Sequence, residues 1–156
     1  MSKPNVIYLV RHAKAGERRL WEHDDTARPL SKLGHRQSEA IAERLAGKEP
    51  STLHSSPYVR CVQTLEPLAA RLGTEIRQDD RLAEGAPFEP VLELLAEVDC
   101  CAVLCSHGDI VTDVIQALHR RGMEVKSSPD WRKGSIWVLK RKHDRITTAK
   151  VWPPPK

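Results

Sequence analysis

The chain has 156 residues, which suits one domain with a real hydrophobic core. Apolar residues make up 40 %, an ordinary share that argues against gross disorder, and the net charge is a mild +4. The first apolar run, Val6–Val10, is too short for a secretion signal, and no stretch is long and apolar enough to span a membrane. These features predict a cytoplasmic protein of one domain over 1–156, with 153–156 as a loose tail.

Val6-Ile7-Tyr8-Leu9-Val10 reads as a buried strand that stops on Arg11-His12. Small, turn-prone residues follow, so both side chains belong at the strand's carboxyl end, where ligands bind in open α/β sheets. Arginine offers a planar, permanently charged fork to phosphate oxygens. Neutral imidazole keeps one nitrogen lone pair and can act as a nucleophile. Standing alone, such a pair is better read as two solvated residues ending a strand.

A long polar loop runs from Ala13 to about Leu30 and carries Arg18, Arg19, Trp21, Asp24, Asp25 and Arg28. Loops of that length are functional or disordered; following the nucleophile directly, this one is expected to wall a pocket. Arg28 is expected to pair with Asp24 or Asp25, with substrate contact as the alternative. Trp21 and Trp131 are placed at the pocket rim, with core packing as the alternative. Ser31 caps a helix from about Lys32 to Leu45, which Gly47 ends. Thr52–Ser55 is a short strand. Ser56 is read as an N-cap and Pro57 as the first residue of a helix to Leu72, so Arg60 stands near that helix's N-terminus. Its apolar stripe is Val62, Leu65, Leu68, Ala69 and Leu72, and Pro67 lies inside it.

Glu75–Arg77 is a short edge strand, and Asp79–Pro87 is a loop carrying Leu82-Ala83-Glu84-Gly85. A helix from about Pro87 to Glu97 leads to Cys100–Cys105, another buried-strand pattern, ending on Ser106-His107-Gly108-Asp109. Ile110, Val111, Val114, Ile115 and Leu118 then recur at helical spacing to Arg121. His107 and Gly108 therefore sit where a strand hands over to a helix N-terminus, whose free N–H groups favour an anion. Gly122–Lys133 is a connecting loop; Ser135–Lys140 and Ile146–Trp152 form a closing antiparallel pair. The basic run Lys140–Arg145 between them is a solvated turn. It lacks the aromatic interleaving of a nucleic-acid site, so no nucleic-acid partner is expected. The four cysteines contain no Cys-x-x-Cys, which speaks for buried thiols in a reducing compartment rather than zinc or a redox pair.

Strand and helix alternate throughout, which predicts an α/β fold, a three-layer sandwich with a mainly parallel central sheet flanked by helices. Two arginines, Arg11 and Arg60, and two histidines, His12 and His107, are placed to converge on one anion.

Taken in order, these motifs resemble the histidine phosphatase superfamily, also called phosphoglycerate mutase-like. Arg11-His12-Ala13 matches its Arg-His-Gly signature with Ala for Gly. Ser56-Pro57-x-x-Arg60-x-x-Gln63-Thr64 and Ser106-His107-Gly108 match the second and third motifs. Arg28-Pro29-Leu30-Ser31-x-x-Gly34 and the short length are similar to the SixA-type phosphohistidine phosphatase branch. The resemblance implies a metal-independent phosphatase without cofactor, acting through a covalent phosphohistidine on His12. Arg11, Arg60, His107 and the Gly108 N–H would hold the phosphoryl oxygens. Leu-x-Glu84 resembles the family's general-acid position, though a phosphohistidine leaving group has less need of an acid. Protein phosphohistidine is the first expected substrate, and a small phosphomonoester, sugar phosphate or nucleotide the alternative. A similar domain accompanies Nudix domains in some bacterial hydrolases. The segment Gly85-Ala86-Pro87-Phe88 departs from the mutase branch. A non-catalytic phosphate-binding module is the third reading, which the presence of His12 opposes. No membrane partner is expected, and the sequence is silent on oligomeric state.

Overall fold

A computed structural model describes residues 5–156. Seven strands form one sheet: β1 (Val6–Arg11), β2 (Leu53–Ser55), β3 (Ile76–Gln78), β4 (Val103–Ser106), β5 (Glu124–Val125), β6 (Ile136–Lys142) and β7 (Arg145–Trp152). Their order is β3-β2-β4-β1-β6-β7-β5. All neighbours are parallel except those of β6, which runs antiparallel to β1 and β7. Four helices cover it: α1 (Lys32–Ala46), α2 (Val59–Leu72), α3 (Glu89–Glu97) and α4 (Gly108–Arg120). The expected three-layer, mainly parallel architecture is therefore present.

The two-residue period of β1 sorts its side chains between two cores. Val6, Tyr8 and Val10 pack with Ile41, Leu45, Leu65 and Leu68 of α1 and α2. Ile7 and Leu9 pack with Val91, Leu95, Val111 and Val114 of α3 and α4. The predicted stripe of α4 is buried at every position. The stripe of α2 is rotated: Arg60, Cys61 and Thr64 join Leu65 and Leu68 inside, while Val62 and Leu72 are half-buried. This helix turns polar side chains inward because one of its ends faces the site.

Several expectations need correction. Cys100 and Cys101 lie in a turn rather than in β4, and Cys101 has φ 72°, outside the strand region. Helix α2 begins at Val59 with Tyr58 as its cap, two residues later than read from Ser56-Pro57. The loop after α4 contains β5, which pairs in parallel with β7. The basic run is mostly strand: only His143 and Asp144 separate β6 from β7. Within it, Arg141 is not a solvated side chain. It donates to the carbonyls of Leu95 and Val98 at 2.8 and 2.6 Å and to Asn5 Oδ1 at 3.0 Å, clamping the end of α3 to the sheet. Residues 153–156 have no regular structure, and Pro154 lies beside Gly134. Among the described residues there is no disulfide, and no helix is long and apolar enough to cross a membrane.

Candidate active site

β1, β2 and β4 end side by side, with Arg11 opposite Ser106 and Ser55 opposite Cys105. The residues that follow, His12, Ser56 and His107, thus emerge at one edge. They lie around a cleft of about 690 Å³ lined by Arg11, His12, Arg60, Glu84 and Gly108 among others. The carboxyl ends of parallel strands are where the open α/β architecture places ligands.

His12 is 4 % exposed, and its Nδ1 lies 2.7 Å from the Ala13 carbonyl. A carbonyl only accepts, so Nδ1 carries the proton and Nε2 the lone pair. Burial above all, with His107 and the arginines Arg60 and Arg11 close by, drives the His12 pKa down to about 3 against the pull of that carbonyl. The imidazole is therefore neutral at any physiological pH.

His107 is held by its other nitrogen. Nε2 lies 2.8 Å from Ser56 Oγ and 3.6 Å from Cys61 Sγ. Its buried Nδ1 has no hydrogen-bond partner among the described residues, and Glu84 Oε1 stands 3.9 Å away. The two imidazoles meet edge to face at 5.3 Å. Ser56 also accepts the Tyr58 N–H at 3.2 Å, so the residue expected to cap α2 instead ties its entry to His107.

Arg60 is completely buried. It donates to the Asp25 carbonyl at 2.8 Å and to Asp25 Oδ2 at 3.0 Å, with Glu84 Oε1 at 3.4 Å. Arg11 donates to the Trp131 carbonyl. Its guanidinium lies against Gly108: a Cβ there would be 2.7 Å from Arg11 Cζ, so only glycine admits this approach. Glu84 is brought to the cleft by its neighbour, since the Gly85 N–H donates to Asp109 Oδ2 at 2.9 Å. Arg28 pairs with Asp25 Oδ1 at 2.9 Å and donates to the Gly16 carbonyl, which is the loop-shaping role expected of it, although it also lines the cleft.

Trp21 is not among the cleft-lining residues. It meets His23 edge to face and donates to the Asp24 carbonyl. Trp131, half-buried, packs on Trp137 at the edge of the core and is not among the cleft-lining residues, although its carbonyl accepts from Arg11. Asp25, in contrast, was read only as a partner of Arg28, yet it ties Arg28 and Arg60 together. Burial pushes its carboxyl up, but Arg28 and Arg60 outweigh this and hold it below the usual carboxylate range. The remaining motif residues brace the loop. Thr64 Oγ1 accepts the Ala13 N–H, Gln63 Oε1 the Leu30 N–H and Gln37 Oε1 the Lys14 N–H, all within 3.0 Å. Gly34 passes so close to the Lys14 carbonyl that a Cβ would stand 1.9 Å from its oxygen. Ala15 bridges to Leu30, closing the loop at its base. Among the described residues, no cluster of three or more His, Cys, Asp or Glu side chains is arranged to hold a metal ion.

The profile of the histidine phosphatase superfamily (branch 1) matches residues 7–87. An 8-oxo-(d)GTP phosphatase of Mycolicibacterium smegmatis is 32 % identical over 96 % of this chain, which spans only 48 % of that relative. Among solved structures, SixA from Agrobacterium tumefaciens superposes with a TM-score of 0.76 at 24 % identity, covering 97 % of this chain and 99 % of that one. A mycobacterial glucosyl-3-phosphoglycerate phosphatase in complex with VO3 gives 0.72 at 21 % identity, covering 97 % and 100 %. The structural likenesses show the shared fold, and the profile match covers half of the sequence, including the Arg11-His12 and Ser56–Thr64 motifs. The chain belongs to the histidine phosphatase superfamily.

Proposed function

We propose that the protein is a metal-independent phosphatase whose nucleophile is Nε2 of His12. The observation that carries this reading is the 2.7 Å hydrogen bond from Nδ1 to the Ala13 carbonyl, which aims the lone pair of a neutral imidazole into a cationic cleft. Nε2 attacks phosphorus in line, and the bond to the leaving oxygen breaks. Water then attacks the phosphohistidine, its proton leaves, and inorganic phosphate is released. Arg11, Arg60 and the Nδ1–H of His107 take the equatorial oxygens, with the Gly108 N–H at the start of α4 as a further donor. The Ser56 hydroxyl, donating to His107 Nε2, would fix the tautomer that turns Nδ1–H to substrate.

Glu84, 3.4 Å from Arg60 and 3.9 Å from His107 Nδ1, is placed to protonate a leaving alkoxide and then to take the proton of the attacking water. That position favours a small phosphoester, because an alkoxide needs an acid more than an imidazole does. Protein phosphohistidine is the second reading, favoured by the Arg28–Gly34 pattern shared with the SixA branch. The test is phosphate release from an aryl phosphate and from a histidine-phosphorylated protein, with His12→Ala as control. We expect release that His12→Ala abolishes while vanadate binding partly survives; near-normal turnover in that variant would remove His12 from its role. Preference for the phosphoprotein would reverse the order of the two substrate classes.

A further inference from the structure

The cleft holds more positive charge than one phosphoryl group needs. Its three non-bridging oxygens are provided for by Arg11, Arg60, His107 and the Gly108 N–H. Arg18 is paired with Asp25 and Glu84, and Arg28 with Asp25. Two further cations line the same cleft, Lys14 and Lys133. Among the described residues neither has a carboxylate within salt-bridge distance. The cleft's own acids are engaged elsewhere: Glu17 with Arg19, Glu84 with Arg18 and Arg60, and Asp109 with the Gly85 N–H.

Both lysines are mounted on fixed backbone. Lys14 follows the nucleophile by two residues. Its N–H donates to Gln37 Oε1 at 3.0 Å, and its carbonyl accepts from the Ser31 N–H at 2.9 Å and from Ser31 Oγ at 3.1 Å. Lys133 precedes Gly134, whose N–H donates to the carbonyls of Arg11 and His12 at 3.1 Å each. Lys14 thus stands on the nucleophile's own segment and Lys133 on a segment hydrogen-bonded to it, and both residues are exposed and line the cleft. Burial lowers the Lys133 pKa, and Arg11, Arg28, Lys14 and Arg18 lower it further, as expected where cations converge without a counter-charge. No Phe, Tyr or Trp is among the cleft-lining residues, so charge rather than stacking selects what enters.

We propose that Lys14 and Lys133 form a second anion subsite, and that the substrates carry a second phosphate beyond the one transferred. This rests on the His12 phosphatase reading. The second phosphate belongs to a phosphoanhydride, as in a nucleoside diphosphate, or to a second ester, as in a sugar bisphosphate. In either case His12 takes the phosphoryl group at its own subsite and the P–O bond to the remainder breaks. The remainder leaves with the electron pair and its other phosphate still held by the lysines. One water is consumed and one inorganic phosphate released.

Binding tests this without turnover, and so separately from the role of His12. Calorimetric affinities of inorganic pyrophosphate and phosphate are compared in the unmodified protein and in Lys14→Ala/Lys133→Ala. We expect pyrophosphate to bind at least tenfold more tightly, and that ratio to fall at least fivefold in the double variant. Lys140→Ala/Lys150→Ala, an equal charge change at two exposed lysines on β6 and β7, should keep the ratio. Equal affinities, or a ratio the double variant retains, would overturn the subsite. Phosphate release from a nucleoside diphosphate, a sugar bisphosphate and a sugar monophosphate then separates the two sources. Faster turnover of either doubly phosphorylated compound supports the proposal and identifies its kind, whereas equal or faster turnover of the monophosphate overturns it as a substrate determinant.

Discussion

The two histidines occupy equivalent places and are prepared for opposite tasks. Each follows a parallel strand, β1 or β4, and those strands are neighbours in register. Yet His12 is anchored through Nδ1 by a backbone carbonyl, and His107 through Nε2 by a serine hydroxyl. A carbonyl can only accept, so it forces its imidazole to present a lone pair. A hydroxyl can donate, which leaves the other imidazole free to present an N–H. In the proposed mechanism one residue type thus serves as nucleophile and as electrostatic donor, and the difference lies in the partner behind each ring.

The comparison breaks most completely at His12: removing the attacking atom should reduce turnover to background. His107→Ala removes only a donor, so single-turnover assays should retain measurable chemistry, slower by about 10² to 10³. A His107→Ala loss as complete as that of His12→Ala would mean the two roles are not distinct. Gly108→Ala acts on both sides at once, since the new Cβ would displace the Arg11 guanidinium lying 2.7 Å away. Misplacing that charge by roughly an ångström should cost about 10² in kcat/KM with little change in the melting midpoint. Ser56→Ala deletes the anchor of His107 and the acceptor of the Tyr58 N–H. Steady-state kinetics should show a fall of about tenfold, and denaturant titration a loss of about 1 kcal/mol.

The smallest signal should come from protons. With its pKa near 3, the ring resonances of His12 should not titrate between pH 5 and 8; a midpoint near the ordinary 6.5 would show that burial does not keep this ring neutral. The sign for stability follows from the same shift. The unfolded chain takes up a proton below its ordinary 6.5 that folded His12 refuses until about 3. This contribution is therefore complete above pH 6.5 and is lost as pH falls toward 3.

The fold and the core of the site were legible because both rest on local patterns. Alternation in Val6–Val10 and the stripe from Ile110 to Leu118 each encode a buried face, and a strand end fixes where Arg11, His12 and His107 emerge. What escaped depends on contacts distant in sequence. Asp25 sits 35 residues before the Arg60 it binds, and nothing in its neighbourhood separates it from Asp24. Cys100 and Cys101 extend an apolar run because burial, which the run records, is shared by strands and buried turns alike. Trp21 stands on a loop expected to wall the pocket, yet its indole N–H is used within that loop, on the Asp24 carbonyl, a contact no local pattern announces.

The loop from Ala13 to Leu30 is stitched at both ends and exposed in the middle. Its base is bridged from Ala15 to Leu30, and Asp25 fastens its far arm to Arg60. Between these anchors Arg19 and Leu20 stand in solvent, Leu20 at 71 % exposure. Insertion at Arg19-Leu20 leaves the contacts of Asp25 and Arg28 in place, so new specificities should arise there first, rather than by rebuilding the sheet.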